Sequence, residues 1–207
     1  MTGVKTPQST DSRILAAIRR QGPGSVFVPG DFLRLGSRAA IDVTLHRLTR
    51  AGTIRRLARG VYDFPREHAV LGLLAPSADA IAQSLASRDR TRIQPTGAYA
   101  ANALGLTEQV PAKIVFLTDG PSRTLKIVSM AIEFRRTTAK NMEAAGRLSG
   151  LLIQAFRSLG EESITPARKE HLKRSIPLNK RRSLLKDIAL APAWMHPLFR
   201  ELAEKDG

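Results

Sequence analysis

Apolar positions in the first third of the chain recur first at helical and then at strand spacing. Ile14, Leu15 and Ile18 form one stripe, with Arg13, Arg19 and Arg20 turned to water, which predicts a first helix capped by Asp11 or Ser12. Gly22-Pro23-Gly24 stops that helix, and Ser25-Val26-Phe27-Val28 has room only for a short strand. Pro29-Gly30-Asp31 opens a second, short helix bearing Phe32, Leu33 and Leu35 and broken at Gly36. Ser37 is a good N-cap for a third helix running to about Ala51, with Gly52 just beyond its end. Two strands are expected next, one at 53–57 and one at 61–64, around Ala58-Arg59-Gly60. There Gly60 supplies the positive φ of a tight hairpin turn. Helix, short strand, two helices and a two-stranded ribbon closed by Pro65 is the layout of a winged helix-turn-helix. It is read over residues 12–65, behind a flexible tail at 1–11.

From residue 66 to 207 the pattern is that of a mixed α/β domain with C-terminal helices, so the chain as a whole is expected to be α+β. A helix is predicted at 78–88, with Ala80, Ile81 and Leu85 apolar and Asp79 in its first turn. Arg92-Ile93-Gln94 is a strand candidate, and Thr96 suits the cap of a helix carrying Tyr99, Ala100, Ala103 and Leu104. Three strands are read at 113–117, 124–128 and 131–134, with a turn at 118–122. Helices follow at about 141–159, 165–175 and 179–189, and a last one begins at Pro192-Ala193-Trp194, with Trp194 as a core anchor.

Turned at about 100° per residue, the third helix puts Leu45 and Leu48 within about 40° of Ile41, a single buried stripe. Its opposite face carries Ala39, Val43, His46, Arg47 and Arg50, with Asp42 at the edge. An ordinary amphipathic helix shows water an all-polar face, whereas here two small apolar side chains sit among arginines and a histidine. Such a face can approach a major groove closely, with Ala39 or Val43 against thymine methyls and arginine forks against guanine edges or phosphates. The plain alternative is a solvated face with one stray valine. The ribbon tips the choice. Arg55, Arg56 and Arg59 cluster at and near its tip, no acid occurs from Thr53 to Tyr62, and such a tip commonly grips phosphate or the minor groove.

Composition agrees with a polyanion partner. The 207 residues carry 33 Lys and Arg against 18 Asp and Glu, a formal net charge of +15. Residues 1–64 hold 11 of those cations with 4 acids, and every cation there except Lys5 is an arginine. Apolar runs such as Leu71-Gly72-Leu73-Leu74-Ala75 fall far short of the ~18 residues that a membrane span needs. The polar start of the chain lacks the apolar core of a signal peptide. Without cysteine there is no disulfide, no thiol nucleophile and no Cys-ligated metal. A cytoplasmic protein with no membrane partner and no cofactor is expected.

Catalytic constellations do not assemble in the sequence, and no enzymatic activity is expected. His46, His68, His171 and His196 have neither a histidine four residues away nor a nearby pair of carboxylates. Asp119 stands alone at a strand end, where an Asx-type turn before Gly120-Pro121 accounts for it. Ser149-Gly150 lacks the glycine that precedes a nucleophile-elbow serine. The run Lys180-Arg181-Arg182, with Lys173, Arg174 and Lys186 nearby, is either a second polyanion patch or a solvated helix face.

These residues also carry a family resemblance. The stretch from Gly22 to Pro65, with LGSRAAIDVTLHRLTRAGTIRRLARGVYDFP at its heart, resembles the N-terminal domain of the AbiEi-type antitoxins of type IV (AbiE) toxin–antitoxin systems. GAYAANALGLTEQVPAKIVFLTDGPSRT, from Gly97 to Thr124, and LLKDIALAPAWM, from Leu184 to Met195, are similar to the second domain of the same group. One departure is Val128-Ser129-Met130, which lacks the glycine expected between two of the family's strands. The resemblance implies a sequence-specific repressor that binds double-stranded DNA at repeats upstream of its own operon. It further implies a C-terminal domain that counteracts a nucleotidyltransferase-like toxin without forming a stable complex with it. Carried over by position, the DNA-binding role falls on Ser37, Arg38, Ala39, Asp42, His46, Arg47 and Arg50 in the third helix and on Arg55, Arg56 and Arg59 in the wing. Val43 joins them from the helical wheel alone, and Ser37 with Arg38, at the helix start, suits a phosphate clamp. The alternative is an antitoxin that binds and neutralises a partner protein directly, with DNA contact secondary. A monomer or weak dimer, pairing on repeated half-sites of DNA, fits a reader this small.

Overall fold

In the computed structural model, which describes residues 9–109, 111–127 and 130–205, helix begins earlier than the sequence pattern suggests. Ser9, rather than Asp11 or Ser12, caps helix α1 (Thr10–Gln21), its hydroxyl accepting from the Ser12 amide at 3.2 Å. Asp11 lies within the first turn, and the remainder of the expected tail, residues 1–8, falls outside the described residues. Strand β1 (Val26–Phe27) follows. The expected second helix is only a 3-10 turn, Pro29–Phe32, pinned by Asp31 Oδ2 accepting from the Val28 amide at 2.9 Å, and it leaves Leu33 exposed. The third helix of the sequence pattern is α2 (Arg38–Arg50), capped by Ser37 Oγ accepting from the Ala40 amide at 3.3 Å.

Strands β2 (Arg55–Ala58) and β3 (Val61–Asp63) form the expected ribbon, and Gly60 adopts φ 69° in the turn between Ala58 and its partner Val61. β1 pairs with the other edge of β3, giving an antiparallel sheet in the order β1-β3-β2. Ile14 and Ile18 of α1, Phe27, Phe32, Ile41 and Leu45 of α2, and Ile54 close one core, each such side chain contributing about 1.5–3 kcal/mol by burial.

The chain then forms a hairpin that the sequence pattern does not predict, β4 (Arg66–His68) and β5 (Gly72–Leu74). His68 Nδ1 accepts from the amides of Val70 (3.2 Å) and Leu71 (3.3 Å), so the turn is held while Val70 stays 85% and Leu71 71% exposed. Helix α3 (Ala78–Asp89) matches its prediction to within a residue. Ser84 Oγ of α3 donates to the Val26 carbonyl and Arg88 Nη1 to that of Arg59, each at 2.9 Å. These bonds tie α3 to the first unit, so the boundary expected after Pro65 moves to Arg90, and the chain divides into compact units Met1–Arg90 and Thr91–Gly207.

The second unit contains β6 (Ile93–Pro95), α4 (Gly97–Ala103), β7 (Lys113–Thr118), β8 (Arg123–Ile127) and β9 (Met130–Arg136). Its four strands run in the order β6-β7-β9-β8, with β9 inserted parallel to β7 and antiparallel to β8. The hairpin register runs from Ile127 opposite Met130 to Arg123 opposite Phe134, while Val128 and Ser129 of the turn noted above lie outside the described residues. Thr118, not Asp119, holds the turn after β7, its hydroxyl accepting from the Gly120 amide at 3.0 Å. Asp119 instead reaches Arg92, whose amide and Nε each donate to it at 2.8 Å. These bonds hold the Asp119 carboxyl below the usual range, the Arg92 side chain contributing most.

The single helix expected at 141–159 is two, α5 (Ala139–Met142) and α6 (Leu148–Leu159), separated by a turn in which Gly146 adopts φ 77°. α7 (Pro166–Ser175) stands as expected. The helix expected at 179–189 becomes α8 (Leu178–Arg181) followed by a 3-10 segment, Arg182–Leu190. α9 (His196–Ala203) ends the fold, with Trp194 half-buried against a core that includes Leu152, Phe156, Leu172, Met195 and Phe199. Among the described residues no helix is long and apolar enough to cross a membrane.

Candidate nucleic-acid interface

Helix α2 buries Ile41, Thr44 and Leu45 and leaves Ser37, Arg38, Ala39, Asp42, Val43, His46, Arg47 and Arg50 exposed. Val43 stands out. It is 49% exposed and flanked by charged neighbours. Arg38 Nε donates to both oxygens of Asp42 at 2.9 and 3.0 Å, a pair one turn apart. Arg47 Nη1 donates to Asp11 Oδ2 at 2.9 Å, and the same carboxylate accepts from the buried Thr44 hydroxyl. That hydroxyl first, and the guanidinium after it, pull the Asp11 carboxyl below its ordinary range. Asp11 therefore stays ionised at neutral pH and fixes α1 against α2. Both ion pairs are solvent-exposed, so each contributes about 0–1 kcal/mol. His46 and Arg50 have no ion pair or side-chain hydrogen bond among the described residues.

The ribbon divides its arginines. Arg56 and Arg59 are exposed and unpaired among the described residues, on β2 and at the turn. Arg55 does not belong with them, although its sequence position suggested a tip contact. Its fork sits on Asp63 across the strand pair, Nε to Oδ1 at 3.1 Å and Nη2 to Oδ2 at 2.5 Å, and Nη2 also donates to the Leu74 carbonyl at 2.7 Å. Asp63 is fully buried, so the guanidinium neutralises a carboxylate that water cannot reach, and the bond to Asp63 raises the Arg55 pKa further. Arg55, expected at the wing tip, thus links β2, β3 and β5 through Asp63 and the Leu74 carbonyl. Asp11, in turn, borders the candidate surface through Arg47, a contact that the sequence pattern misses because it requires α1 and α2 to be packed.

The exposed residues of α2 and the ribbon comprise two small apolar groups, two ion-paired arginines, one arginine and one histidine without a side-chain partner among the described residues, and two further arginines on the ribbon. Elsewhere, His171 and His196 place Nε2 at 3.1 Å from the Leu104 carbonyl and 3.0 Å from the Ala191 carbonyl. No group of three or more His, Asp or Glu able to hold a metal gathers among the described residues.

Residues 13–184 match DUF6088, a family of unknown function, and the chain belongs to that family. In shape it is similar to the crystal structure of the RV2827C protein from Mycobacterium tuberculosis. The sequence identity is 16%, 99% of this chain and 85% of that chain are covered, and the TM-score is 0.47. No curated protein matches the sequence.

Proposed function

We propose that residues 10–64 form a winged helix-turn-helix that reads double-stranded DNA, with α2 as the recognition helix in the major groove and the β2–β3 ribbon as the wing. The observation that carries this is the exposed α2 face, where Ala39 and Val43 lie among Arg38, His46, Arg47 and Arg50. Arg50 and His46 supply donors for base edges or phosphates, Val43 and Ala39 suit thymine methyls, and Arg56 with Arg59 grips the backbone or the minor groove. The protein acts as a repressor of its own antitoxin–toxin operon on repeated half-sites, in the manner of the AbiEi-type antitoxins. Its second unit counteracts a nucleotidyltransferase-like toxin, and the protein itself has no enzymatic role and no cofactor. Fluorescence anisotropy with the duplex upstream of the gene, beside a scrambled duplex at two salt concentrations, tests the DNA reading. A preference of ~10³ or more that persists at ~150 mM salt supports it. Equal binding that collapses with salt refutes it.

A second reading, direct capture of a partner protein, is favoured by the β4–β5 hairpin, which leaves Val70, Leu71 and Leu73 in water. Co-purification of a stoichiometric partner from a dual-expression strain supports that reading, and its repeated absence counts against it.

A further inference from the structure

The second unit holds a cleft of about 570 Å³ between the first turn of α6 and the segment that follows α7. Two of the charged groups lining it cancel. Arg147 is ion-paired with Asp187, which also accepts from Ser149 Oγ at 2.5 Å. The other two, Lys180 and Lys186, have no carboxylate partner among the described residues and leave the wall with a net charge of +2. The basic run around Lys180 is therefore neither a uniform patch nor a uniform solvated face. Arg181 is buried, and it donates to the carbonyls of Ile176 (3.0 Å), Leu202 (2.8 Å) and Glu204 (3.2 Å). That clamp fixes the backbone from which Lys180 and Ser183 line the cleft.

We propose that this cleft binds a small phosphomonoester of about mononucleotide size, its phosphate seated between Lys180 and Lys186. A phosphomonoester carries about −1.5 to −2 charge at pH 7 and three strong acceptor oxygens, which matches two unpaired ammonium groups, while the Ser183 hydroxyl donates to the Lys180 carbonyl at 2.7 Å and orders that turn. The volume lies within the roughly 300–1,000 Å³ of small-molecule sites, and Leu148 gives an apolar wall for the organic part. The Arg147–Asp187 pair shapes the rim and adds no net charge. Every residue in the proposal belongs to the second unit, so it stands apart from the reading of α2.

Calorimetric titration of the full chain tests it, with adenosine 5′-monophosphate, inorganic phosphate and adenosine as probes. The expected result is saturable binding of the monophosphate and of phosphate but not of adenosine. Lys180→Met with Lys186→Met should weaken binding about tenfold or more at an unchanged thermal midpoint, since both side chains are exposed. Arg50→Gln, on α2, should leave it unchanged. Failure to saturate by ~10 mM, equal affinity in the double variant, or equal binding of adenosine overturns the proposal. A 5′-phosphorylated oligonucleotide that binds through the same lysines more tightly than the monophosphate overturns the small-molecule assignment.

Discussion

Replacing the three ribbon arginines separates a residue that holds the fold from residues that hold DNA. Arg56→Gln with Arg59→Gln removes two exposed cations that have no partner among the described residues, so the fold should not notice. If both grip phosphates, the slope of log K against log salt should shrink by about 1.8, at ~0.9 per contact. On the same relation each contact contributes about eightfold in affinity at 0.1 M salt, counted from a 1 M reference. Arg55→Met does the reverse. It leaves the fully buried Asp63 carboxylate without its guanidinium, a loss of about 3–5 kcal/mol. At roughly 4–8 °C per kcal/mol for a unit of this size, the midpoint of the first unit should fall by more than about 10 °C. The surviving folded fraction should keep the wild-type salt slope. Circular dichroism melts and anisotropy at several salt concentrations read both quantities on the same samples. An Arg55→Met variant that melts within about 2 °C of wild type and loses ~0.9 from the slope refutes the assignment of Arg55 to the fold.

Other outcomes follow from the same contacts. Asp42→Asn removes a carboxylate from the α2 face and should raise affinity for a scrambled duplex by several-fold, narrowing its gap to the upstream duplex; anisotropy with both duplexes reads this. Val43→Asp should abolish preference for the upstream duplex without lowering the thermal midpoint, because Val43 is 49% exposed. Asp11 and Asp119 both titrate below the ordinary carboxylate value, so their stabilisation is complete above pH ~4 and is lost as pH falls through their folded values. Thermal midpoints should therefore hold from pH 7 to about 5 and drop below about 4, with Asp11→Asn flattening part of that drop for the first unit. Gly150→Ala should destabilise the second unit by about 1–3 kcal/mol, because its new Cβ would strike the Ala144 carbonyl and Gln94 Oε1, and urea denaturation reads the loss.

Local chemistry made part of this structure legible from residues alone. Ser37 capping α2 and Gly60 turning the ribbon are decided within four residues of chain, and both stand as the sequence pattern placed them. Features settled by pairing across distance were not legible. Asp63 lies one residue past the acid-free stretch from Thr53 to Tyr62, and only the strand register shows that it faces Arg55. Asp11 finds Thr44 and Arg47 only across sequence separations of 33 and 36. Strand β5 hid in Leu71-Gly72-Leu73-Leu74-Ala75 because an unbroken apolar run has no alternation to read, and Gly72, at φ 68°, opens the strand opposite His68. Likewise the helical period through 141–159 conceals a break that Gly146 makes by adopting φ 77° and that Gly150 permits by lacking a side chain.

The acids on the α2 face show how the proposed interface would favour one sequence over another. A surface built only for affinity would leave every arginine bare, yet Arg38 and Arg47 rest on Asp42 and Asp11 at 2.9 Å. Each must exchange a carboxylate for a phosphate or a base edge, so its net gain on DNA of any sequence is small. The resting pairs also hold the two guanidinium forks ordered before DNA arrives, which lessens the entropy lost in docking. Once Arg38 turns to DNA, Asp42 becomes a bare carboxylate beside phosphates, repelled unless a donor such as a cytosine amino group meets it. Non-specific grip then falls mainly to the unpaired Arg50, His46, Arg56 and Arg59. Discrimination falls to Ala39, Asp42 and Val43, whose contribution on a wrong sequence is zero or repulsive.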